Sequence, residues 1–139
     1  MKTLLLSLSL MISVTAWAEN LTVTDVRVKE PIPGRYMSAG FLTLSNSSDQ
    51  DIAMISASAP WAGLIEIHTH LHENGMMKMR QLDKLVIPAG ETVSLQPGGL
   101  HLMLFRLQLP LAESLPMTLC FDNDECISAQ ARLFSPHQE

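Results

Sequence analysis

The chain predicts an all-β fold, an antiparallel β-sandwich or Greek-key barrel. Three observations point there. Apolar residues come in short alternating runs, Gly, Pro, Asn and Asp interrupt those runs at close intervals, and no stretch of a dozen residues holds a convincing helical period. Strands this short with turns this frequent suit two packed antiparallel sheets or a closed Greek key.

Residues 1–18 read as an export signal. Lys2 supplies the positive start, residues 4–14 the apolar stretch and Ala16-Trp17-Ala18 a small-x-small cleavage site, so the mature chain would run from Glu19 as one domain, 19–139. That apolar stretch is too short and wrongly flanked for a spanning helix, and no later one is long enough, so the mature chain is not expected to insert into a membrane. A lipid anchor at this cleavage site would need a cysteine where Glu19 stands.

Strands are then expected at 21–29, 40–46, 51–57, 64–72, 76–84, 92–95, 100–109, 117–121 and 126–134. Pro31, Pro33 and Gly34 mark a loop over 30–36, residues 88–90 make a tight reversal, and Pro97-Gly98-Gly99 another. Asn74-Gly75 is a strong two-residue hairpin signal, because both residues tolerate the positive φ that such a turn requires. Residues 135–139 read as a short frayed end. Cys120 and Cys126 flank the turn-rich 122–125, and in an oxidising compartment this spacing reads as a hairpin disulfide; a redox-active or metal-carrying dithiol is the sharper alternative.

A formal charge of −5 gives a nucleic-acid partner no electrostatic support. The chemistry lies instead in soft donors: His68, Met79, His101 and Met103, separated by ten, twenty-one and one residues. A thioether is uncharged and a poor ligand for hard cations, so two thioethers with two imidazoles suit copper(I), whereas zinc more often recruits thiolate or carboxylate. If Asn74-Gly75 forms the turn, Glu73 faces Met76, His72 faces Met77 and Met79 faces His70, with His68 on the diagonal. Glu66, His68, His70 and His72 share one face of their strand, and His101, Met103 and Phe105 share one face of theirs. Spacing alone therefore leaves His68 and His70 both open. Met54, Met76, Met77 and Met117 read as ordinary core or surface methionines.

Four protein ligands leave no open position for a substrate, which disfavours an enzyme, and a blue-copper electron carrier would normally add a cysteine thiolate. Two other readings are weighed beside copper carriage. One is a zinc hydrolase using His68, His70 and His72 with Glu66 as base; the other is a metal-free sandwich serving as scaffold.

The segments Glu66-Ile67-His68, Gly75-Met76-Met77-Lys78-Met79-Arg80, Ile87-Pro88-Ala89-Gly90 and Pro97-Gly98-Gly99-Leu100-His101-Leu102-Met103-Leu104 closely resemble the PCu(A)C family of periplasmic copper(I) chaperones. The resemblance runs from about residue 21 to 134. It implies a cupredoxin-like β-sandwich and a copper(I) site on His68, Met79, His101 and Met103, and so favours His68 over His70. It further implies a periplasmic carrier that hands its ion to a copper-receiving protein, such as a cytochrome c oxidase subunit or a thioredoxin-like copper protein; the carrier is expected to be a monomer. Some relatives carry a His- and Met-rich tail for copper(II), whereas this chain ends with His137 alone.

Overall fold

The computed structural model describes residues 20–136; the expected export signal and His137 lie outside the described residues. Ten strands form the framework: β1 (Leu21–Lys29), β2 (Met37–Asn46), β3 (Ile52–Ser58), β4 (Ala62–Glu73), β5 (Met76–Leu82), β6 (Leu85–Ile87), β7 (Thr92–Ser94), β8 (His101–Leu107), β9 (Ser114–Phe121) and β10 (Cys126–Phe134). No helix among the described residues is long and apolar enough to cross a membrane.

Hydrogen bonding links the strands in the order β5-β4-β8-β2-β1-β10-β9-β3-β6, with β7 on β2. Every pairing is antiparallel except β1 with β10, which run parallel with Val28 opposite Leu133. That pair joins two halves. Ile65, Ile67, Leu102, Leu104, Leu42 and Leu44 of one half pack in a single core with Met54, Ile87, Leu115, Met117, Leu119 and Phe121 of the other. The folded sheet is thus the all-β sandwich its alternating sequence predicts.

Several boundaries depart from the local pattern, β9 starting at Ser114 rather than at residue 117 and β4 at Ala62 rather than at residue 64. The expected strand 76–84 stops at Leu82 as β5, paired with β4, and β6 (Leu85–Ile87), not expected as a strand, crosses to β3 with Ile87 opposite Ile52. β2 starts at Met37 rather than at residue 40, because Met37, Ser38 and Ala39 find partners in Phe105, Leu104 and Met103 of β8. Two buried polar side chains away from the β4–β8 face are satisfied as burial demands. Asn46 is 2% exposed and donates from Nδ2 to the carbonyls of Ile87 and Gln50, while Trp61 Nε1 donates to Pro116. Cys120 and Cys126 are disulfide-bonded opposite each other across the β9–β10 hairpin, the expected pairing. The dithiol alternative has no free thiol to use.

Candidate metal centre

Strand alternation sorts β8 into two chemistries. Leu102 and Leu104 point into the core with no exposure, so His101, Met103 and Phe105 point out of the sandwich on the opposite face. The turn ahead of β8 sets their position. Gly98 has φ +83°, a conformation that favours glycine, and Gly99 N–H donates to the Gln96 carbonyl. His101 therefore enters the strand at its first residue, and its Nδ1 lies 2.9 Å from the Gly99 carbonyl oxygen. A carbonyl can only accept, so Nδ1 carries the proton and Nε2 keeps its lone pair.

β4 delivers the next donors. It runs antiparallel to β8 with His68 opposite His101 and Glu66 opposite Met103, so all four share the outer face. On its other side β5 brings Met79 opposite His70 and Met77 opposite His72, the register that the Asn74-Gly75 turn predicts. Both turn residues have positive φ, +52° and +75°. One sheet face therefore carries His68, His70, Met79, His101 and Met103.

Within that face, His70, Met79, His101 and Met103 line a common cavity of about 370 Å3. Phe41, Phe134, Lys29 and the Pro97-Gly98 turn complete its wall. His68 stands at the side of this cavity rather than in its lining. Its ring centroid is 5.7 Å from that of His101, and the His70 ring is 5.1 Å from the same partner. His68 Nε2 lies 2.8 Å from the Glu66 carboxylate. In the neutral ring Nε2–H donates to that carboxylate, which leaves the Nδ1 lone pair free. Nδ1 of His68 and Nδ1 of His70 are buried with no hydrogen-bond partner in the protein. A buried polar atom without a partner costs about 1–3 kcal/mol. A soft cation accepting those lone pairs would remove that cost, so the donor chemistry fits a metal.

Burial holds the His101 imidazole below its ordinary pKa. The Gly99 hydrogen bond opposes this, and His70 and His68 reinforce it by charge repulsion. A ring kept neutral is a ring ready to ligate. His72 stands apart at the exposed end of the hairpin, and among the described residues no three His, Cys, Asp or Glu side chains gather into a metal-holding group. That removes the geometric basis for a zinc hydrolase on His68, His70 and His72. Of the methionines read as ordinary, Met54 and Met117 are core residues, whereas Met76 and Met77 are 61% and 55% exposed.

Sequence reading missed the aromatic wall. Phe41 comes from β2 and Phe134 from β10, and they approach at 6.2 Å because β1 lies between those strands in the sheet. No local signal near either residue encodes that meeting.

Comparison with known proteins agrees with this architecture. A family model described as "Putative lipoprotein LpqE-like" matches residues 21–133. The chain is 30% identical over 109 residues to "Putative lipoprotein Lxx21020" of Leifsonia xyli subsp. xyli, covering 76% of this chain. It spans only 64% of that relative's length. Among solved structures, the copper(I) form of DR1885 from Deinococcus radiodurans is 33% identical with a TM-score of 0.68, over 84% of this chain and 80% of that one. The copper-bound PCuAC domain from PmoF2 shares the fold at a TM-score of 0.71 and 18% identity, over 87% of this chain and 97% of its own. With the family model covering nearly all the described strands and the sandwich shared with PCuAC domains, the chain belongs to the LpqE-like family, the family of the PCuAC domains.

Proposed function

We propose that the chain is a copper(I) carrier, holding one ion in the set His68, Met79, His101 and Met103 and releasing it to a partner by ligand exchange. One observation carries this reading: uncharged thioether and imidazole donors from three strands gather on one sheet face, away from the core. The copper(I) bound by the 33%-identical DR1885 structure supports the choice of ion. Copper here is cargo. Thioethers bind it without deprotonation, and a partner's donors can replace them one at a time. His68 offers Nδ1 and His101 offers Nε2, each oriented through its opposite ring nitrogen by Glu66 or by the Gly99 carbonyl.

Four protein ligands leave the metal no position for a substrate, which suits a carrier rather than an enzyme. The setting we propose is the periplasm. Cleavage after residue 18 would release residues 19–139 as one monomeric domain, and the recipient would be a copper site of a cytochrome c oxidase subunit or a thioredoxin-like copper protein.

The test is anaerobic competition against a chromogenic copper(I) chelator, with X-ray absorption on the loaded protein. Two sulfur and two nitrogen neighbours are expected. Met79→Leu should weaken binding about tenfold or more, or about 1.4 kcal/mol, because the swap keeps volume and removes only the donor. His68→Gln should cost more affinity than His70→Gln. Unchanged affinity in Met79→Leu would end the reading; a larger loss in His70→Gln would move the second imidazole one pair along the ribbon.

A further inference from the structure

We propose a second copper(I) site at the tip of the β4–β5 hairpin, formed by His72 and Met77, that loads the central set by way of His70. It rests on the copper(I)-carrier reading of that central set. The two faces of the hairpin carry different chemistry. On one, Glu73 forms ion pairs with Lys78 at 3.5 Å and Arg80 at 3.7 Å, and Met76 stands opposite Glu73. On the other, the cross-strand pairs going inward from the turn are His72 with Met77 and His70 with Met79, and the next residue on β4, His68, adjoins His101. Directly paired residues project to the same side, and residues two apart along a strand do so again. Imidazole–thioether pairs therefore stand in consecutive rungs, from an exposed end to a half-buried cavity, on the face opposite the Glu73 ion pairs.

Copper(I) is satisfied by two or three soft donors. His72 with Met77 supplies one of each at the solvent-facing end, where Met77 is 55% exposed. His70, whose buried Nδ1 has no hydrogen-bond partner, stands one rung further in, opposite Met79 and 5.1 Å from the His101 ring. An ion held at the tip can thus exchange Met77 for Met79 and His72 for His70 without passing through water free of ligands. The same steps in reverse would present it to an acceptor. Met76 sits beside Met77 in sequence, is just as exposed and lies on the ion-paired face. It is the internal control.

The experiment titrates the mature full-length chain with silver(I), a redox-silent soft ion, while NMR follows the methionine methyl and histidine ring signals. The first equivalent should move Met79 and Met103, and a second, weaker one should move Met77 and His72 while leaving Met76 in place. In the double variant His72→Gln/Met77→Leu the second response should vanish with the first intact, and copper(I) transfer to the chelator should slow. Met76→Leu should change neither. Saturation after one equivalent with Met77 unmoved would overturn the tip site, as would equal movement of Met76 and Met77, which marks adventitious thioether binding. Should Met77 and His72 respond while Met79 and Met103 stay unmoved, the tip site stands and the central assignment falls.

Discussion

The two faces of β8 differ by a single step along the backbone and by everything in their chemistry. Inward, Leu102 and Leu104 are fully buried in the shared core; outward, His101 and Met103 line a cavity with His70 and Met79. Alternation gives each residue one neighbourhood, so the strand can be fixed by its inner residues while its outer ones stay free to bind and release. On the proposed copper(I) reading, a weak thioether ligand can be kept because the fold does not depend on it. Donors held by a packed sheet also lose little further freedom when an ion arrives.

If that division holds, substitutions on the two faces should fail in different assays. The largest effect belongs inside: Leu102→Ala should cost about 2–5 kcal/mol of stability, read by chemical denaturation of the metal-free protein. Next comes the opposite layer, where Cys120→Ser opens a short disulfide loop and should cost about 2 kcal/mol while leaving copper(I) affinity unchanged. On the outer face, Met103→Leu should alter stability by less than about 1.5 kcal/mol yet weaken copper(I) binding about tenfold or more. A Met103→Leu variant that unfolds as readily as Leu102→Ala would break the comparison outright.

The smallest effect is a pH dependence confined to the outer face. Burial depresses the His101 pKa in the folded state, so below the ordinary imidazole value of about 6.5 the unfolded chain binds more protons than the folded one. Stability of the metal-free protein should be complete above that value and should decline as pH falls below it. Denaturation midpoints at about pH 7.5 and about pH 5.5 would show the slope, and His101→Gln should reduce it.

Much of this was legible locally. Asn74-Gly75 specified its own turn type, and with it the pairing of His70 with Met79 and of His72 with Met77. Alternation put His101 and Met103 on one face, and Cys120 with Cys126 announced their bond. What local pattern could not give was partnership at long range. Residues 83–84 read as the end of a strand and residues 85–87 as no strand, because nothing in so short a run announces the three residues that pair with β3. His68 and His70 are equivalent in spacing and face, and they separate only where a neighbour acts. Glu66 takes a ring nitrogen of His68, while β5 sets Met79 against His70.

By itself, then, the sequence determined the strand class, the hairpin register, the disulfide and which candidate donors share a strand face, because each depends on residues within a few positions or on a period of two. Tertiary structure alone decided that β1 and β10 run parallel, that Phe41 and Phe134 wall the cavity and that the β4–β5 hairpin lies against β8. Those outcomes depend on which apolar faces bury one another, a choice made by the whole core and carried by no short segment of it.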